Sequence, residues 1–289
     1  MSELVIHAPP HTSADMRNHI RKTRGGRIKT GARCKSRIII KITIITLLCI
    51  TVYGFLTFDY GNVNLSEAVS ATADNVGVMF GEPRLKNTTV PNALMALLQT
   101  FSLGVLSTIA GAIIAFFGAL LCARNIAKPA VSIVIRSIVA FVRAVPTILW
   151  VLIFTVAAGL GSVAAVAGMT FHSASYLIKA YSESIEEIDG GVIEALRAGG
   201  AGYWQILFQA ILPASISYMT AWTFLRFEIN FTTAIAMGAA AGAGGIGYDL
   251  FMAGTFYHDL RELGFITYMV IAAVILLEIA ATKIKAKVR

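Results

Sequence analysis

Three cysteines, five histidines and a charged fraction of 14% are all that 289 residues offer to disulfide, metal or solvated-surface chemistry. Cys34, Cys49 and Cys122 lie far apart, one in a basic segment and two in apolar runs, which excludes a disulfide framework and a thiolate metal site. No His or Cys pair stands at ligand spacing, and no Ser-His-Asp arrangement suggests a nucleophile with its base. The nearest approach to a phosphate loop, Gly26 to Gly31, is followed by Ala32 and Arg33 where Lys and Ser or Thr are required. The chain is therefore expected to be no enzyme and to carry no cofactor and no metal. If ATP drives it, another chain binds the nucleotide.

The scarcity of charge also excludes a soluble globular domain. With 56% hydrophobic residues and a mean hydropathy of +0.72, the composition is that of a polytopic membrane protein. The net charge of +8 is no nucleic-acid signature, because nine of the 24 Lys and Arg fall in the first 37 residues and four in the last seven, without interleaved aromatic residues. Nucleic acid is not an expected partner; membrane lipid is. Two basic tails on the cytoplasmic side satisfy the positive-inside rule.

Apolar runs at 38–58, 93–122, 132–158, 161–182, 210–237 and 264–282 each approach or exceed the ~20 residues that a bilayer core requires. The sequence predicts an all-α integral membrane bundle of about six transmembrane helices, with both termini cytoplasmic. Residues 1–37 form a basic cytoplasmic tail, 38–58 an N-terminal anchor helix, 59–91 an external loop and 92–289 the main bundle. Ala71-Thr72-Ala73 has the form of a signal cleavage site, but it lies some distance beyond an apolar run of about 21 residues, so a retained anchor is expected. In the second run Gly104, Thr108, Gly111, Ala115, Gly118 and Cys122 recur at steps of four and three. They make one small-residue stripe that admits a close neighbour, either within the chain or at a subunit seam.

The segment from Glu194 to Pro213, EALRAGGAGYWQILFQAILP, is set between apolar spans. Gly199 and Gly200 suit a tight turn between helices, Pro213 suits the first turn of the next helix, and Glu194 and Arg197 are spaced to pair. An amphipathic loop lying on the membrane, with Tyr203 and Trp204 as interfacial anchors, would use many of the same residues. The full spacing resembles the "EAA" loop of ATP-binding-cassette importer permeases. Glu194, Ala195, Gly200, Leu212 and Pro213 are in register, while Leu196 and Ala210 depart from the pattern.

A second motif, RFEINFTTAIAMGAAAGAGGIG, runs from Arg226 to Gly247. Arg226, Phe227, Glu228 and Asn230, followed by Gly242, Ala243, Gly244, Gly245, Ile246 and Gly247, resemble the permeases of phosphonate and phosphite importers. The likeness covers about 90–282; Thr232 stands where relatives carry Arg. Gly242, Gly244 and Gly247 also spell the dinucleotide fingerprint, but a membrane-span pattern precedes them where a β-strand would be required. Irregular backbone near the outer surface, lining a pathway or closing a gate, fits the membrane context better; close helix packing on small residues is the plainer alternative.

Charged residues within spans are costly, so Arg143, Arg226 and Glu228 are expected to face inward. Arg226 and Asn230 share a helical face, whereas Glu228 points elsewhere and could meet Arg143. A structural ion pair and a solute path are both open readings for these groups. His172 reads as a hydrogen-bonded core histidine or a titrating one, and Arg136, Lys179 and Lys283 as snorkelling cations.

The resemblance implies an importer permease of the bacterial cytoplasmic (inner) membrane for a small anionic organophosphorus ligand. It implies a second permease copy, ATPase subunits docked at the 183–207 loop through Glu194, Ala195, Gly199, Gly200, Leu212 and Pro213, and an extracytoplasmic solute-binding protein. It places Arg143, Arg226, Glu228, Asn230, Gly242, Gly244, Gly245 and Gly247 along the translocation path or gate. A methionine or osmoprotectant permease is the alternative within the class. An ion-coupled secondary transporter using Arg143, Arg226, Glu228 and His172 is the alternative outside it.

Overall fold

The computed structural model describes residues 35–58 and 64–288, and among them every regular element is helical. The basic tail expected at 1–37 lies almost wholly outside the described residues. By contact the chain divides into two units, 1–68 and 69–289. In the first, α1 (Lys35–Thr57) carries an apolar stretch, Ile38–Thr57, that is exposed nearly throughout. Thr43, Thr51 and Thr57 donate their hydroxyls to carbonyls four residues back, at 3.0, 2.9 and 2.8 Å, which satisfies those three groups within the helix.

The next helix, α2 (Leu65–Gly81), lies within the stretch expected as an external loop. The second unit continues through α3 (Val90–Cys122), α4 (Pro129–Ala144), α5 (Thr147–Ala158), α6 (Ser162–Glu186) and α7 (Gly190–Ala198). Then come α8 (Tyr203–Ile206), α9 (Leu212–Ala240), α10 (Ile246–Phe251) and α11 (Leu260–Val288). Wider π-type turns occupy Leu207–Ile211 and Met252–Phe256.

The 132–158 run is not one straight helix. It breaks into α4 and α5, bent by 92°, because Pro146 has no amide hydrogen and forces Val145 into an extended conformation (ψ 126°). Three described helices are long and apolar enough to cross a membrane, at Ile38–Thr57, Val90–Cys122 and Leu260–Lys283; the bent pair could supply a fourth span. The 25-residue α6 and 29-residue α9 are long enough but more polar, a difference explained by what they bury.

The stripe on α3 is an intramolecular seam. A Cβ added at Gly104 would stand 3.1 Å from Phe231 Cα on α9, and one at Gly111 would stand 2.9 Å from Ser173 Cβ on α6. At Gly118 it would meet Ile178 at 2.7 Å. Gly168 on α6 likewise brings its backbone against Val151 of α5. Small residues thus let α3, α5, α6 and α9 approach closely, as packing without a strong hydrophobic drive demands.

Candidate functional site: a buried guanidinium between two ends of the bundle

At one end of the bundle, α7 projects the first motif. Asp189 caps it, accepting from the Gly191 amide at 2.9 Å. At its other terminus the Gly200 amide donates to the Arg197 carbonyl and the Ala201 amide to the Leu196 carbonyl, both at 3.0 Å. Those two bonds form a Schellman motif whose left-handed residue is Gly200, φ +84°. Gly199 does not share that conformation; its φ of −75° is open to any residue.

Ile193 is buried in a cluster with Leu177, Ile185, Ile206, Leu207 and Ile211. Glu194, Ala195, Arg197, Gly199 and Gly200 remain exposed. The expected pairing of Glu194 with Arg197 is not formed among the described ion pairs. Pro213 lies in the first turn of α9, and the π-type turn before it lets the Leu212 amide donate to the Leu207 carbonyl. Nearby, Arg136 pairs with Glu186, and Lys179 with Glu183 at 2.8 Å.

Midway along α9, about 21 Å from either end, the helix turns Arg226 and Asn230 into the core; Arg226 is 3% exposed and Asn230 fully buried. The Arg226 Nε donates to Ser173 Oγ on α6 at 3.0 Å. Asn230 Nδ2 donates to Thr108 Oγ1 on α3 at 2.8 Å, and its amide shares hydrogen bonds of 2.9 and 3.0 Å with Ser173 Oγ. The Arg226 guanidinium carbon lies 5.2 Å from the centroid of the Tyr176 ring, and that of Arg143 lies 5.6 Å from the same centroid. No carboxylate pairs with Arg226 among the described residues, and no ion pair joins Arg143 to Glu228 there. Among the described residues, the buried Arg226 Nη2 and His172 Nδ1 have no hydrogen-bond partner.

At the opposite end of α9 the second motif reverses the chain. Gly242, Gly244 and Gly245 take φ values of +61°, +77° and +73°. The loop is seated by polar groups of α3, with Ile246 N donating to Thr100 Oγ1 at 3.0 Å. Gly247 lies so close to α9 that a Cβ there would fall 1.8 Å from the Ile235 carbonyl oxygen. Helix α9, not a strand, precedes these glycines, which removes the dinucleotide reading. Gly244 and Gly245 also line a cleft of about 640 Å³ with Asn92, Gln99, Tyr248 and Asp249.

Sequence spacing thus locates Arg226, Asn230 and the glycine loop, and Thr108 as part of the small-residue stripe, but not Ser173 or Tyr176, whose residue types carry no signal until α3 and α6 are brought together. Glu262 was also missed. It is 2% exposed and accepts from the Asn87 and Thr88 backbone.

Comparison with known proteins matches residues 115–285 to the family described as "Binding-protein-dependent transport system inner membrane component". The phosphate-import permease protein PhnE of Mycolicibacterium smegmatis is 35% identical over 168 residues, 58% of this chain and 30% of that protein. The phosphite transport system permease protein PtxC of Stutzerimonas stutzeri is 31% identical over 185 residues, 64% of each chain. The chain therefore spans less than two thirds of either relative. Among solved structures, an inward-facing MetNI methionine ABC transporter superposes with a TM-score of 0.62 at 22% identity, covering 70% of this chain and all of that one, a likeness of fold. With more than half its length matched by the family and several apolar helices of spanning length, the chain belongs to the binding-protein-dependent transport system inner membrane components, multi-pass permease subunits of the bacterial inner membrane.

Proposed function

We propose that this permease subunit passes a small organophosphorus anion and is driven by a separate ATPase that grips α7. The observation that carries the coupling is the anchoring of α7. Ile193 roots the helix in a cluster shared with α3, α6 and the start of α9, while the Glu194 and Ala195 face stays outside it. A push on that face acts on helices that also bear the Arg226 cluster, which is the rigid-body coupling an importer requires. The substrate class is supported by relatives named for phosphate and phosphite and by a buried cation that no described carboxylate neutralises. On this reading a second permease copy completes the path and an extracytoplasmic binding protein delivers the solute. The Gly242–Gly247 segment serves in the outer gate.

Reconstitution in liposomes with the ATPase and the binding protein tests the reading. ATP-dependent uptake of methylphosphonate or phosphite is expected. Uptake that follows an ion gradient without any ATPase would establish the secondary-transporter alternative instead.

A further inference from the structure

Tyr176 faces two guanidinium groups at once. The carbons of Arg226 and Arg143 lie 5.2 and 5.6 Å from its ring centroid, each within cation–π range. Arg226 is only 3% exposed, yet it has one hydroxyl, one aromatic face and no carboxylate among the described residues. Its Nη2 group makes no hydrogen bond among the described residues. A buried charge is ordinarily paired or fully hydrogen-bonded, because an unmet charged donor bears most of its desolvation cost. A π face supplies only a partial negative surface. Arg226 is therefore held in an unfinished state, with the half-buried Arg143 across the same ring.

Everything around the unfinished donor is fixed in place. Ser173 holds the Nε edge of Arg226, Asn230 holds Ser173, and Thr108 holds Asn230, so three helices determine where the fork points. The planar guanidinium offers paired donors that match two oxygens of a tetrahedral or carboxylate-like anion. His172 Nδ1, on the same helix as Ser173, is a second buried polar atom with no hydrogen-bond partner among the described residues.

We propose that Arg226 and Arg143 form a transient oxyanion site at mid-membrane, and that Tyr176 is its placeholder: the ring covers the two cations when no anion is present and must give way for a solute to pass. The site rests on the proposed function and assigns the step at which an anion without its binding protein is held inside the permease. Tyr176 would then keep the path closed to stray anions, since displacing it costs two cation–π contacts that only a well-matched oxyanion recovers.

The test uses the assembled permease and ATPase in nanodiscs, without the binding protein, with methylphosphonate as the probe and phosphorus NMR as the readout. Tyr176→Leu, which removes the π face, is expected to tighten probe binding about tenfold. Tyr176→Phe, which keeps that face, should bind as the wild type does. Arg226→Gln should weaken binding about tenfold or more through loss of a charge-assisted fork. Should that variant fail to assemble, Arg226→Lys carries the test, with a weakening of several-fold expected from loss of the paired donors.

Unchanged affinity in Tyr176→Leu, or in whichever Arg226 variant assembles, would overturn the proposal, as would no binding by wild type and Tyr176→Leu alike. Parallel uptake assays separate the two claims. A wild-type complex that takes up no phosphorus oxyanion refutes the substrate reading. A wild-type complex that does, with Arg226→Gln equally fast, refutes only the Tyr176 site.

Discussion

Arg226 and Ser173 meet across the seam between α9 and α6, the guanidinium Nε donating to the serine hydroxyl at 3.0 Å. Arginine at such depth is expensive, ~2.5 to 3.5 kcal/mol on insertion scales, and is more often met by a carboxylate. Here the facing group is neutral, and Glu228, two residues on, lies on a different helical face.

That arrangement predicts the behaviour of a double variant. Because no ion pair joins Arg226 to Glu228, Arg226→Gln should strand no carboxylate at position 228. The effects of Arg226→Gln and Glu228→Gln on thermal stability of the assembled complex should then add to within ~0.5 kcal/mol, as for uncoupled sites. Uptake should fall sharply in the first variant whether or not the second is present. Rescue of stability and uptake by the double change would mean the two charges balance one another.

A second prediction separates two adjacent glycines. Gly200 sits at φ +84° and closes α7, whereas Gly199 has an ordinary negative φ and room for a Cβ. Gly200→Ala should destabilise the turn by about 1 kcal/mol, and Gly200→Asp should loosen ATPase docking without preventing membrane insertion. Gly199→Ala should be nearly neutral. Co-purification with the ATPase and ATP-driven uptake provide the measurement; equal effects at both positions would remove the role assigned to the turn.

These two sites also mark how far the sequence could be read. The Glu194 to Pro213 spacing fixes a helix, a turn and a second helix, because glycine and proline act on their own backbone. It could not say which glycine takes the left-handed conformation, since either order closes a helix. The Arg226 and Asn230 face was legible from helical periodicity and Thr108 from the small-residue stripe, yet Ser173, Tyr176 and the role of Thr108 as a partner of Asn230 became visible only when small residues on α3 and α6 fixed the helix register. The bend within the 132–158 run stayed hidden for a related reason: hydropathy is blind to the direction of the chain, and Pro146 turns it by 92° in mid-run.

Topology supplies a third prediction. From the Lys and Arg distribution, the 183–207 segment and both tails are expected in the cytoplasm and position 67 outside. In a cysteine-free background, Glu67→Cys should react with a membrane-impermeant thiol reagent in intact cells, and Arg197→Cys should react only after permeabilisation. The reverse pattern would invert the bundle and place α7 beyond reach of a cytoplasmic ATPase.

The last prediction concerns Glu262, a buried carboxylate that hydropathy gave no reason to notice. It stands in the first turn of α11, where the helix dipole favours negative charge, and Asp259 caps the same turn by accepting from Arg261 N and Glu262 N at 3.1 and 3.2 Å. The Glu262 carboxylate in turn accepts from Asn87 N at 3.1 Å, Asn87 Nδ2 at 2.6 Å and Thr88 N at 2.9 Å, fastening the strap that leads into α3. Replacing one oxygen by an amide sets a donor against donors, so Glu262→Gln should cost about 1 to 3 kcal/mol, and Glu262→Ala, which strands all three, should cost more. The neighbouring ion pair between Arg261 and Glu82 is partly exposed, and Arg261→Ala should cost less than about 1 kcal/mol. Thermal unfolding of the assembled complex ranks the three. If Arg261→Ala proved as damaging as Glu262→Ala, the strap would be held by the surface pair and the buried carboxylate would be incidental to it.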